Sequence, residues 1–224
     1  MEKKHILPAD IESTSMAIIT KELEGAGITL PEENAPVIRR VIHTSADFDY
    51  AKNLRFSEGA VARAIEHLKE GAVIVTDTNM ALAGVSKPSL KTLNGAAYCF
   101  MAEPEIAAKA KEDGTTRAVA SMSYAAEKYP NAVFAIGNAP TALLRLSELM
   151  DQGLRPALII AVPVGFVNVV ESKEELFEIC EEHDIPAIVA FGRKGGSNVA
   201  ASICNALLYS AVDMVDPMKR GWQK

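Results

Sequence analysis

His43 closes a basic and apolar run, Val37-Ile38-Arg39-Arg40-Val41-Ile42-His43-Thr44-Ser45. The apolar pairs Val37/Ile38 and Val41/Ile42 stand four apart, a spacing that predicts a helix. On that helix Arg39 and Arg40 precede His43 by four and three residues and share a turn with it. A titratable imidazole beside two fixed cations suits a site that binds an anion and moves a proton. The same run also reads as a buried helix edge with a solvated arginine pair and an incidental histidine. The other histidines are weaker candidates. His67 lies in the charged stretch Ile65-Glu66-His67-Leu68-Lys69 and His5 in the N-terminal tail. His183 follows Glu181-Glu182 at a predicted helix end, where partial positive charge is stabilising.

Several other chemistries are excluded. No two histidines have metal-ligand spacing, and neither His-Glu-x-x-His nor Gly-x-Ser-x-Gly occurs, so no metal site is expected. Cys99, Cys180 and Cys204 are widely separated and odd in number, which gives no disulfide framework or zinc ribbon; they read as small core residues.

Short polar residues and glycines follow the predicted strands. In Thr76-Asp77-Thr78-Asn79-Met80-Ala81, Thr78 can cap a helix or bond a ligand. In Gly137-Asn138-Ala139-Pro140-Thr141, Gly137 permits a tight turn, Asn138 can cap and Pro140 fits a first helical turn. Such a junction is expected to offer free backbone N–H groups to an anion. Pro163-Val164-Gly165-Phe166-Val167-Asn168 and Phe191-Gly192-Arg193-Lys194-Gly195-Gly196-Ser197-Asn198 are similar junctions, and Ser197 opens the last helix. Neither a P-loop nor Gly-x-Gly-x-x-Gly is present, which argues against specific ATP or dinucleotide binding. Arg117 stands at a predicted helix start, where a cation is unfavourable unless something offsets it. It is a candidate carboxylate ligand or an ordinary surface ion pair.

The elements that must carry these residues alternate. Buried strands are predicted at 72–76, 132–136, 157–162 and 187–190, with a weaker one at 97–101. Helices are predicted at 105–112, 116–128, 141–152, 173–183 and 198–211. This predicts a three-layer α/β/α architecture around a mainly parallel five-stranded sheet, open and doubly wound, of the Rossmann or flavodoxin type. Helices near 11–26, 31–43 and 57–70 precede it without interleaved strands, Pro31 being expected to open the second. The expected organisation is one domain, 1–224: an N-terminal helical layer over 1–70, the α/β core over 71–212, and a loose polar tail over 213–224 carrying the single tryptophan, Trp222, which has no expected function.

With 29 acidic and 23 basic residues the chain is net acidic, which argues against a general nucleic-acid or acidic-membrane surface but leaves room for a local basic pocket. No apolar leader and no membrane-length apolar run is found, so a soluble cytoplasmic protein is expected.

The motifs together resemble the precorrin-8X / cobalt-precorrin-8 methylmutases of corrin-ring biosynthesis. The matching blocks are Arg40-Val41-Ile42-His43, Ala135-Ile136-Gly137-Asn138-Ala139-Pro140-Thr141-Ala142-Leu143, Pro163-Val164-Gly165-Phe166-Val167, Glu171-Ser172-Lys173 and Gly192-Arg193-Lys194-Gly195-Gly196-Ser197. Each is a modest signal, but their order and spacing are specific. The resemblance implies a flavodoxin-like fold and a homodimer with active sites near the interface. It implies an isomerase of cobalamin biosynthesis that moves a methyl group from C-11 to C-12 of (cobalt-)precorrin-8, giving cobyrinate or hydrogenobyrinate. It also implies no cofactor, any cobalt belonging to the substrate. The position of His43 is the family's proton donor/acceptor, and those of Ser15 and Arg40 contact the substrate. Arg117, Thr78, Asn138 and Ser197 are added from position and chemistry. Residues 44–50, Thr-Ser-Ala-Asp-Phe-Asp-Tyr, look more like the cobalt-dependent branch. A non-catalytic corrinoid carrier on the same fold is the alternative reading, and a nucleotide- or flavin-binding module is a third.

Overall fold

The computed structural model describes residues 8–220. In chain order the elements are α1 (Pro8–Gly25), α2 (Ala35–Ser45), α3 (Tyr50–Asn53), β1 (Leu54–Phe56), α4 (Ala60–Lys69), β2 (Val73–Thr76), α5 (Asn79–Gly84), α6 (Lys87–Thr92), β3 (Ala96–Tyr98), α7 (Pro104–Glu112), α8 (Arg117–Lys128), β4 (Val133–Ile136), α9 (Pro140–Asp151), β5 (Leu158–Ala161), α10 (Val169–Glu182), β6 (Ala187–Ala190), α11 (Ser197–Ala211) and a 3-10 turn, Pro217–Arg220. His5 and Trp222 lie outside the described residues.

β4, β5 and β6 are buried at every position, as strands covered on both faces must be. The pleat sends alternate residues to opposite layers. Ile74, Val133, Ala135, Leu158, Ile160 and Ile188 pack with α1, α2, α4 and α11. Val75, Phe134, Ile136, Ile159, Ala161 and Val189 pack with α7, α8, α9 and α10. The sheet order is β1-β6-β5-β4-β2-β3. Its five parallel strands therefore run 2-1-3-4-5 in chain order, the flavodoxin-like arrangement, with the topological switch point between β2 and β4.

The fold class follows the sequence pattern, with three local corrections. Among the described residues the sheet has six strands rather than five, because β1 pairs antiparallel with β6 along Leu54↔Ala190, Arg55↔Val189 and Phe56↔Ile188. Three residues with a charge at their centre carry no strand periodicity, so β1 is invisible in the sequence and was hidden inside the supposed strand-free helical layer. The second helix begins at Ala35 with Pro36 in its first turn, not at Pro31. The segment expected to be loose from 213 onward instead folds through Arg220 and packs on α1. No helix of the described residues is long and apolar enough to cross a membrane.

Candidate functional site

α2 forms because Pro36 presets its first turn and its apolar stripe, Val37, Ile38, Val41 and Ile42, is buried. The stripe packs chiefly on α11, which leaves Arg39, Arg40 and His43 half-buried along the other side. Ala46 ends the helix in the left-handed region at φ 54°, its N–H donating to the Ile42 carbonyl at 2.7 Å. The following turn is pinned. The Asp47 N–H donates to Ser45 Oγ at 3.2 Å and the Asp49 N–H to Asp47 Oδ1 at 3.0 Å. Lys194 Nζ, from the loop after β6, donates to both Asp47 and Asp49 at 2.6 Å. The Lys194 ammonium holds the Asp47 carboxyl below the ordinary aspartate value, and the two carboxylates raise Lys194 in turn. His43 thus sits one turn before a segment tied to the carboxyl edge of the sheet, and its ring takes no hydrogen bond among the described residues.

The two arginines behave differently from each other. Arg40 pairs with Glu12 of α1 and lies over the Tyr209 ring, 4.8 Å from its centroid. Glu12 also accepts from Arg220 at 2.8 Å on each oxygen, and the Arg220 guanidinium lies 3.9 Å from the same ring. Burial pushes the Glu12 carboxyl up, but the Arg220 and Arg40 guanidiniums outweigh it and hold the group below its ordinary value. Arg40 is therefore not an open cation beside His43; it is one arm of a buried cluster joining α1, α2, α11 and the 3-10 turn. Arg39 Nε is buried without a hydrogen-bond partner among the described residues. Arg39 and Arg40 line a cavity of about 780 Å³ with Met16, Tyr209 and Lys219, which His43 does not line. Ser15 Oγ donates back to the Ile11 carbonyl at 2.9 Å.

The remaining sequence candidates gather at the carboxyl ends of the strands. Thr78 caps α5, its Oγ1 accepting from the Ala81 N–H at 3.1 Å, and bonds Ser197 Oγ at 2.8 Å. Asn138 is exposed beside them. Gly137 passes so close to α11 that a Cβ there would meet Ser197 Cα at 2.7 Å, which requires glycine. Arg117 is exposed in the first turn of α8, without hydrogen bond or ion pair among the described residues; the α8 cap, Thr116, meets Thr141 of α9 at 3.3 Å.

The expectation of free N–H groups at the β4–α9 junction is overturned. Asp77, just past β2, turns its carboxylate into the start of α9. Oδ1 accepts from the Gly137 N–H at 2.9 Å, and Oδ2 accepts from the Asn138 and Ala139 N–H groups at 2.8 Å each. Asp77, not Asn138, is the capping group, and the helix end already holds its anion. Burial raises the Asp77 carboxyl, and the three amide bonds pull it part of the way back. The sequence clue was an acidic residue directly after a strand at the switch point.

Two loops complete this edge. Lys173 of α10 is fully buried, and its Nζ donates to the Gly192 and Lys194 carbonyls at 2.9 Å each. Burial lowers it to about 8. The Gly165 N–H donates to the Arg193 carbonyl at 3.2 Å, and the Gly196 N–H to the Val162 carbonyl at 2.9 Å. At Gly195 a Cβ would run into the Val162 carbonyl oxygen. Phe166, Val167 and Met80 are the most exposed large hydrophobic residues described, at 83%, 77% and 72%; the first two stand on the loop leaving β5 and Met80 in the first turn of α5. Sequence reading passed over Asp77, Lys173, Phe166 and Arg193; the last three lay within quoted blocks, but nothing in their spacing revealed a role. Among the described residues no three His, Cys, Asp or Glu side chains gather as a metal-holding group.

Residues 10–210 match the sequence profile of the family described as CbiC, precorrin-8X methylmutase. The chain is 41% identical over 209 residues to a cobalt-precorrin-8 methylmutase of Salmonella typhimurium, covering 90% of this chain and 95% of that protein. It is 40% identical over 194 residues to a precorrin-8X methylmutase of Pseudomonas aeruginosa, covering 86% and 91%. The crystal structure of a precorrin-8X methylmutase from Thermus thermophilus superposes with a TM-score of 0.81 at 39% identity, covering 91% of this chain and 98% of that one.

Proposed function

Because the chain belongs to the precorrin-8X methylmutase family, isomerases of cobalamin biosynthesis, we propose that His43 is the acid/base group of a methyl shift around a corrin-type ring. The methyl group leaves C-11 with its bonding pair and joins C-12, so no atom or electron is gained or lost. Such a shift needs the conjugated ring polarised, and a proton delivered to a ring nitrogen does this; the same proton returns once the methyl has moved. The observation that carries the assignment is the ring of His43, half-buried, without a competing partner among the described residues, in the last turn of α2 just before a turn anchored by Lys194 to the edge where open α/β sheets bind ligands.

The substrate is a polycarboxylate, and the chain's cations are disposed to receive it. Arg117 is exposed and unpaired among the described residues. Arg40 offers N–H groups beyond those that Glu12 takes, and a substrate carboxylate shares it with Glu12. Ser15, Thr78 and Ser197 supply neutral bonds after turning from their present partners, and the exposed Asn138 side chain supplies another. The reading takes no cofactor, the polarised ring itself serving as the electron sink for the shift, and cobalt, where present, arrives in the ring. Relatives named for the cobalt-containing and the metal-free substrate both align, and the 44–50 segment inclines the reading to the cobalt form. The working unit is a homodimer with active sites near its interface, in the cytoplasm, a setting that three unpaired cysteines suit.

The test is incubation with a precorrin-8-type substrate while the visible spectrum is followed. Wild type converts it, and His43→Asn slows conversion by roughly 10²–10⁴-fold and flattens the pH profile while still binding product. An unchanged rate in His43→Asn removes the histidine from the mechanism. A wild-type protein that binds the corrinoid without converting it is a carrier.

A further inference from the structure

Arg193 is an exposed guanidinium on a backbone held at three points. Lys173 fixes the carbonyls on either side of it, at Gly192 and Lys194, and its own carbonyl accepts from the Gly165 N–H. Lys173 is fully buried with no carboxylate partner among the described residues, an expensive way to fix a surface loop unless the loop must be rigid. The Gly165 contact fixes the neighbouring loop as well. That loop presents Phe166 and Val167 to solvent, with Val164 at 48% exposure beside them. The Arg193 guanidinium lies 5.5 Å from the Phe166 ring centroid and makes no hydrogen bond or ion pair among the described residues. A cation and an aromatic ring are thus prepositioned together, the guanidinium keeping its N–H groups free of hydrogen bonds among the described residues and the ring standing largely in solvent.

The geometry points to Arg193 and Phe166 as a ready-built subsite for the substrate, Phe166 meeting the flat conjugated ring and Arg193 one peripheral carboxylate. A macrocycle with an apolar face and an acidic rim needs this pairing, and the subsite stands at the carboxyl ends of β5 and β6. The adjacent residue, Lys194, ties the same loop to the turn after His43, so one rigid segment relates ring support to proton donor. A second copy of the chain is the other conceivable occupant of an aromatic and arginine surface. The rigid tie to the His43 turn favours the ring. The subsite rests on the methylmutase reading.

The experiment titrates the full-length protein with cobyrinate by visible absorbance, measures oligomeric state by sedimentation, and follows turnover of the precorrin-8-type substrate. Phe166→Ala and Arg193→Gln are each expected to weaken cobyrinate binding about ten-fold, the scale of one stacking or charge-assisted contact, with oligomeric state unchanged. Phe166→Tyr keeps the ring face and is expected to bind as wild type does. Two results overturn the subsite alone, with wild type still converting substrate. One is binding within two-fold of wild type in both variants; the other is a changed oligomeric state in Phe166→Ala, which would assign the patch to contact between copies. A wild type that leaves the substrate spectrum unchanged overturns the methylmutase reading, and the subsite with it.

Discussion

Asp77 shows how one side chain decides what a junction can do. Its two oxygens face three backbone N–H groups and no other acceptor, so the arrangement tolerates a carboxylate and little else. An asparagine would turn an NH2 group against at least one of those donors. Asp77→Asn is therefore expected to lose about 2–3 kcal/mol of stability, the scale of buried donors left unpaired, measured as the shift of a urea unfolding midpoint. A loss under about 0.5 kcal/mol would mean that the amides find other partners. At this scale the sequence was partly legible. His43 stood out because its rivals lay in charged helix ends or the tail. Arg40 did not reveal its partners, because Glu12 and Arg220 are remote in sequence and only the fold brings them together. Asp77 was overlooked for the same reason: its three donors come from another strand's loop.

At the scale of elements, the loop after β6 depends on Lys173. A neutral amine has two N–H groups, enough for the Gly192 and Lys194 carbonyls, so the loop keeps both bonds when the proton leaves. Its value of about 8, against 10.5 in the unfolded chain, gives a defined pH signature. Between those values the unfolded chain holds a proton that the folded one lacks, so this group makes the protein more stable as pH rises from about 8 toward 10.5. Below that window the lysine is charged in both states and the penalty of its burial is fully present. Cys180 and Cys204, pushed up to about 12 by burial, act in the opposite sense above pH 9. The observable is therefore the difference between wild type and Lys173→Met in melts from pH 7.5 to 10: the wild-type curve gains on the variant as pH rises, and parallel curves would refute the assignment. Elements with strong periods were readable in advance. α8, α9 and α11 begin and end within about a residue of the predicted limits, and β6 matches its predicted limits. β1 was not readable, because its three residues become a strand only by pairing with β6.

At the scale of the molecule, the first and last parts of the chain are fastened to each other. Arg220 is the outermost of these ties. Its side chain, 4% exposed, binds Glu12 and stacks on Tyr209. Removing it leaves Glu12 buried with Arg40 alone. Arg220→Ala is expected to lower stability by about 1–3 kcal/mol, read as a melting temperature lower by several degrees. The loss should be greatest near neutral pH and shrink in acid. The carboxyl of Glu12 lies below its ordinary 4.5, so its contribution is complete above that value and disappears as pH falls through the lower, folded-state one. A melting temperature unchanged by the substitution would return the segment after 213 to the loose tail that its polar composition suggested. Composition misled there because arginine and lysine are read as solvent-facing, while an arginine between a carboxylate and an aromatic ring is not.

β1 has a consequence in time. It pairs with β6, the last strand among the described residues, while Lys194 reaches back across 147 and 145 residues to the turn after His43 and Arg220 across 208 to Glu12. During synthesis the histidine emerges early with its local turn and the Glu12–Arg40 pair, yet the long-range ties from Lys194 and Arg220 and the packing on α11 exist only after β6 and α11 have left the ribosome. The N-terminal helices must wait, exposed, for partners not yet translated. A chain released before β6 and α11 are made therefore carries His43 without Lys194 to tie down the turn that follows it, and the arrangement proposed around this residue forms only once those elements are present.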